Sequence, residues 1–275
     1  MTVGIHNLAW WARDYAYAAG RQIRALTSRA SPQGFQTGDQ CPVVVIPGIY
    51  ERWQFLQPLI CRVHEAGHPV YVVRKLSWNT ASVPDAARHV ADFIAEEGLE
   101  GVVLLAHSKG GLIGKFVMIA HDVDVRILGM IAVAVPFSGS TYARYMLAPS
   151  LRSFAASNVH ITGLNRNTET NRKIISIFSR FDPHIPEGSA LSGARNIEID
   201  TGGHFRLLAD SRVAAAVMTK LSGFGHPLTR PDDDPRAHST NVGPVYRLGP
   251  RSGPGRRAET RGRGLAADEY GWGAG

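Results

Sequence analysis

At positions 106–110 the chain reads Ala-His-Ser-Lys-Gly, and Ser108 at its centre is placed where chemistry could be done on a hydroxyl. The apolar run Val102, Val103, Leu104 and Leu105 before it predicts a strand. Leu112, Phe116 and Ile119 after it recur at helical spacing. A serine in a strand-to-helix turn projects its hydroxyl from the end of a sheet. The backbone must fold back so sharply there that the positions two before and two after need very small side chains, and Ala106 and Gly110 supply them. The first NH groups of the following helix face the same point with the positive end of the helix dipole behind them, so negative charge developing there is stabilised.

A serine hydroxyl is a weak nucleophile at neutral pH. It needs an imidazole to take its proton, and a carboxylate to hold that imidazole in one tautomer and stabilise its cationic form. Two later apolar runs deliver candidates. Residues 173–179 (KIISIFS) predict a strand that leads to Asp182 and His184, and residues 195–200 (RNIEID) predict another that ends in Asp200 and leads through Gly202 and Gly203 to His204. The paired glycines let the His204 loop turn back towards the serine. On residue type and position alone, Asp182 and Asp200 both remain open as the partner acid. His107 adjoins the serine but faces the other way along the turn, and plain surface or core roles are expected for His184, His64, His68, His121 and His160. Cys41 and Cys61 match no metal-ligand spacing, and no cluster of His, Cys, Asp and Glu suggests a catalytic metal, so neither metal nor cofactor is expected. Two free thiols are the expectation for the cysteines, with a disulfide left open.

The Ala-His-Ser-Lys-Gly turn resembles the nucleophile elbow of the α/β-hydrolases, G-x-S-x-G, with Ala106 in place of the first glycine as in small bacterial lipases. The resemblance spans about residues 42 to 221. It continues in the run Val43 to Ile46 followed by Pro47-Gly48-Ile49-Tyr50, which is similar to the oxyanion loop, with Pro47 where a histidine is commoner, and in Pro136-Phe137-Ser138-Gly139 after the run at 126–135. The acid position of the family's triad falls in Asp182-Pro183-His184-Ile185-Pro186. The resemblance implies an α/β-hydrolase fold, with a mostly parallel sheet of about six strands, helices on both faces and a small helical cap over residues 141–170. It implies the order Ser108, Asp182, His204, with Asp182 preferred to Asp200 on the family's topology. The backbone NH groups of Ile49 and Lys109 become the oxyanion donors, and Tyr50, Phe137, Met146, Ile185 and Phe205 become candidates for the acyl wall. The activity implied is cleavage of carboxylic esters of a small-molecule or lipid substrate. An acyltransferase or thioesterase with the same triad is the nearest alternative, and a non-catalytic binding or membrane-associated protein on the same scaffold is the alternative from another class.

The remaining chain bounds this reading. A length of 275 residues with 44% hydrophobic content suits one sizeable core, expected at 42–221 and preceded by a helix and linker over 1–41. Residues 6–29 predict an amphipathic helix with Leu8, Trp11, Ala12, Tyr15, Ala19, Ile23 and Leu26 towards one face. Either that helix packs on the domain or a partner, or its aromatic and arginine content suits the surface of a membrane. Residues 222–275, rich in Pro, Gly and Arg, are expected to be disordered. The net charge of +7 raises nucleic acid as a partner, but the charges are scattered and no nucleic-acid-binding motif accompanies them, so none is expected. Neither a signal peptide nor a membrane-spanning stretch is recognised, and a cytoplasmic protein with peripheral membrane contact left open is the expectation. The sequence leaves the oligomeric state undetermined.

Overall fold

The computed structural model describes residues 5–121, 126–224 and 245–248. Its centre is a parallel sheet built from the β-branched and leucine-rich runs: β1 (Val43–Ile46), β2 (Val70–Val72), β3 (Val102–His107), β4 (Ile127–Val133), β5 (Ile174–Phe181) and β6 (Arg195–Gly202). A further short strand, β7 (Val245–Leu248), pairs with the outer edge of β6. The order across the sheet is β2-β1-β3-β4-β5-β6-β7, and every neighbouring pair runs parallel. Parallel neighbours need crossovers, and the helices that supply them cover both faces, which is why β1 and β3 read as unbroken apolar runs.

Side chains along each strand alternate between two cores. Val44, Ile46, Leu104, Ala106, Met130 and Ala132 face one side, where α3 (Val83–Glu96) and α4 (Lys109–Ala120) pack. Val43, Val45, Val103, Leu105, Ile131 and Val133 face the other, under α2 (Gln57–Glu65) and α7 (Ser211–Phe224). Local chemistry fixes the helix starts: the Ser82 hydroxyl accepts the Asp85 NH at the head of α3, and Asn158 accepts the His160 NH at the head of the cap helix that spans Val159–Arg166. That segment is α6. It follows α5 (Pro149–Arg152), and together with the turn Thr141–Tyr145 they form the small cap. Phe154, Ile161 and Leu164 anchor it in the core, while Tyr142, Tyr145, Met146 and Leu147 remain exposed.

The two ends differ from expectation. α1 (Ile5–Thr27) packs on the body through a mixed face: Asp14, Arg21 and Ala25 are buried and the rings of Trp10 and Tyr17 meet Phe181 and Phe55, whereas Leu8 (62%), Trp11 (45%), Ile23 (63%) and Leu26 (59%) are exposed. The surface beneath α1 offers backbone donors and acceptors beside those aromatic contacts, and the polar side chains of this face pair with them. At the other end α7 continues to Phe224, and β7 places an ordered strand inside the stretch 222–275 that was expected to lack structure. Pairing with the open edge of β6 satisfies the backbone of a segment with no apolar periodicity of its own. The other residues of that stretch lie outside the described ones. Cys41 and Cys61 are both free, half-buried thiols.

Candidate active site

Ser108 sits between β3 and α4 with φ 49° and ψ −123°, a conformation that a non-glycine residue holds only when the surroundings dictate it. They do so here. A methyl group at Gly110 would run into the carbonyl oxygen of Ile46, and one at Gly111 into Val135, so both glycines let the head of α4 press against β1 and the loop beyond β4. Ala106, fully buried between Ile46 and Ala132, is the small residue required on the other side.

Ser108, Asp182 and His204, far apart in the chain, meet at the carboxyl ends of β3, β5 and β6. The Oγ of Ser108 lies 3.0 Å from Nε2 of His204, and Nδ1 of His204 lies 2.7 Å from Oδ2 of Asp182. Oδ1 of Asp182 accepts the amides of His184 (2.8 Å) and Ile185 (3.2 Å), so the carboxylate is fully engaged and held in position. Burial favours a neutral Asp182, but the His204 cation and its hydrogen bond, with the His184 amide, prevail and hold its pKa below the usual carboxylate value. Burial pushes the His204 imidazole down. The charge and hydrogen bond of Asp182, followed by the charges of Asp14 and Glu51, outweigh this and bring its pKa above the ordinary 6.5. Asp200 is turned elsewhere and pairs with Arg180 at 2.9 Å.

The loop after β1 closes the other side. The Asn79 side chain donates to the Pro47 carbonyl at 2.6 Å. Oε2 of the buried Glu51 accepts the Gly48 amide at 2.8 Å and lies 2.9 Å from Nδ1 of His107. Nε2 of His107 lies 3.3 Å from the carbonyl oxygen of His204, so the residue beside the serine ties the Gly48 loop to the His204 loop. No hydrogen bond among the described residues engages the Ile49 amide, and the amide of Lys109, first residue of α4, has no acceptor within its own helix. The Lys109 side chain turns away from solvent, donating to the carbonyls of Asn79 (2.8 Å) and Ala81, and burial brings its pKa down to about 8.

Of the proposed wall residues, Tyr50 and Met146 are exposed near the cap, with the Tyr50 hydroxyl 2.7 Å from Oγ of Ser150. The Phe205 ring stands edge-on to His204 with centroids 4.9 Å apart. Phe137 and Ile185 are buried, so they can form only the floor beneath any groove. His184, for which a plain surface or core role was expected, packs against the site: its ring centroid is 5.0 Å from that of His204, and burial lowers its pKa to about 4. Asp14, Glu51 and Asn79 went unnoticed in the sequence. Asp14 alone left a trace there, as an isolated acid in a helix otherwise rich in arginine.

No protein-family model matches this chain, and no curated protein matches it. Solved structures do. The mature form of Bacillus licheniformis lipase BlEst2 superposes with a TM-score of 0.54 at 14% identity, over 66% of this chain and 92% of its own. The Paleococcus ferrophilus monoacylglycerol lipase gives 0.51 at 15% identity, over 69% and 97%. Aspergillus fumigatus lipase B gives 0.55 at 17% identity over 70% of this chain, which spans 55% of that longer enzyme. The chain has the α/β-hydrolase fold.

Proposed function

We propose that this protein is a serine hydrolase of carboxylic esters, with Ser108 as nucleophile, His204 as general base and then acid, and Asp182 as the residue that orients and stabilises the imidazole. The observation that carries this reading is the unbroken relay of hydrogen-bonding distances from Ser108 Oγ to His204 Nε2 and from His204 Nδ1 to Asp182 Oδ2. In the acylation step the serine oxygen attacks the ester carbonyl while its proton passes to Nε2. The resulting oxyanion is held by the amides of Ile49 and Lys109, each contributing about 3 kcal/mol if it behaves as a single oxyanion donor elsewhere does. The alcohol leaves with the proton from Nε2, and water activated by the same imidazole releases the acid. Tyr50, Met146 and Phe205 form the acyl wall over a floor of Phe137 and Ile185. The test is turnover of p-nitrophenyl esters from acetate to palmitate by the wild type, Ser108→Ala and His204→Ala. Serine-dependent hydrolysis is expected, and equal rates in wild type and Ser108→Ala would overturn the assignment.

The same reading gives the outer face of α1 a use at a lipid–water interface. Leu8, Trp11, Tyr15, Ile23 and Leu26 are exposed along it, Arg13 and Arg24 are exposed elsewhere on the same helix, and no described helix is long and apolar enough to cross a membrane. Tyr15 also stands 5.4 Å, centroid to centroid, from His184, whose ring is 5.0 Å from that of His204, and this continues the apolar face towards the site. Sedimentation with vesicles containing anionic phospholipid should carry the protein down, and Trp11→Ser with Ile23→Ser should abolish this. Sedimentation unaffected by these changes would exclude α1 as the docking face.

A further inference from the structure

Although α1 precedes the sheet and belongs to none of its crossovers, its buried face is wired to the loops on both sides of Ser108. Arg21 donates through Nε to the Phe55 carbonyl at 3.2 Å and through NH2 to that of Gln54, and Gln22 donates to the Tyr50 carbonyl at 2.7 Å. On the other side, Asp14 is fully buried and takes three consecutive amides of the His204 loop: Oδ2 accepts from His204 (3.0 Å), and Oδ1 accepts from Phe205 (2.8 Å) and Arg206 (2.7 Å). Space for this contact is made in the loop itself. Gly202 lies against the Trp10 ring, and a methyl group on Gly203, which has a φ of +123°, would stand 2.6 Å from Oδ1 of Asp14.

We propose that Asp14 is the positioning residue for the histidine, fixing the His204 loop in register with Ser108 and making α1 part of the active-site apparatus. The inference rests on the reading of His204 as the general base. A buried carboxylate that converges on three backbone NH groups is a rigid anion nest, and it fixes the backbone from which the imidazole projects. The loop's carbonyls are held elsewhere, Gly203 by the Ser179 hydroxyl at 2.8 Å and His204 facing His107 Nε2 at 3.3 Å, whereas the amides of His204, Phe205 and Arg206 are all taken by Asp14. Tolerance is small, because displacement of a reacting group by about 1 Å can cost about a hundredfold in rate. The carboxylate also adds negative charge close to an imidazole that must become cationic. It acts there together with Asp182 and His184 from the loop after β5, Glu51 from the loop after β1, His107 at the end of β3, and Tyr15 from α1.

The test is Asp14→Asn, which keeps the shape but removes the charge and one acceptor, read by NMR titration of the His204 ring and by steady-state kinetics. A folded variant is expected to show a lower His204 pKa, because a negative charge that favours the cationic imidazole has been removed. The acid limb of kcat/KM should move down with it, and kcat should fall about 10- to 100-fold with KM nearly unchanged. Arg21→Gln loosens α1 without touching the His204 loop and should leave the ring titration where it is, which separates positioning from mere attachment of the helix. If Asp14→Asn fails to fold, Asp14→Glu keeps the charge but moves the acceptor oxygens off the three amides, and a loss of kcat with little change in the ring titration is expected, undiminished kcat overturning the inference. A folded Asp14→Asn with wild-type His204 titration, or with undiminished kcat, overturns the inference. Should the wild type hydrolyse no ester, the proposed activity falls, and the ring titration alone still decides the role of Asp14.

Discussion

At the scale of single residues, charge decides what the site can do. The carboxylate beside His204 is that of Asp182, 2.7 Å away, while Asp200 is held by Arg180. Asp182→Asn is therefore expected to lower kcat by about ten-thousand-fold, because the amide favours the wrong tautomer, and Asp200→Asn to leave it within a few-fold. A larger loss in the second variant would reverse the assignment. Because the His204 pKa lies above 6.5, the acid limb of kcat/KM should fall above that pH, and a limb well below it would mean the imidazole is not stabilised as described. His184 supplies a stability prediction with a definite sign. Its pKa drops from 6.5 to about 4 on folding, so between these values the unfolded chain binds a proton that the folded one refuses, and stability decreases as pH falls through the window. A shift of this size corresponds to a loss of about 3 kcal/mol. Urea midpoints at pH 7 and pH 4.5 should reveal it, and His184→Gln should remove much of it. Ser108, His204 and both candidate acids were legible as residue types past strand ends. Asp14 and Glu51 were not, because the His204 amide on Asp14 comes from 190 residues away and the His107 ring beside Glu51 from 56, partners brought together only by the fold.

At the scale of elements, the elbow depends on close approach and α1 on hydrogen bonds. Gly110→Ala pushes a methyl into the Ile46 carbonyl, where backbone cannot yield cheaply, and should cost about 3 kcal/mol or more, the range for overpacking at its upper end; an unchanged urea midpoint would mean that the turn has slack. α4 carries a second liability in Lys115, fully buried, its Nζ without a hydrogen-bond partner among the described residues and its pKa lowered by burial to about 8. Between about 8 and 10.5 the unfolded chain holds a proton that this lysine has lost, so the wild type gains stability as pH rises through that window. Lys115→Met should be more stable at pH 7 by an amount that shrinks above pH 8, and a constant difference would contradict that. The helix at the N-terminus was legible from its periodicity, but its orientation was not. An apolar stripe is normally the buried one, and here Asp14, Arg21 and Gln22 find backbone partners on the body that outweigh it.

For the molecule as a whole, the parallel sheet follows from β-branched runs separated by helical periods, and β1 and β3 to β6 fall where those runs predicted them. β7 did not announce itself, since Val245 to Leu248 lie in a Pro- and Arg-rich context and become a strand through pairing with β6, a tertiary choice that no local pattern encodes. The six strands from 43 to 202 bring three loops to one rim, and the function proposed depends on their convergence there. The direct measurement is to quench the enzyme during turnover of a p-nitrophenyl ester and find the acyl group by mass spectrometry of its peptides. An acyl adduct on the peptide containing Ser108, present in wild type and absent in His204→Ala, is the predicted result. Ester turnover with no adduct at Ser108, or with an adduct that forms equally well without the imidazole, would contradict it.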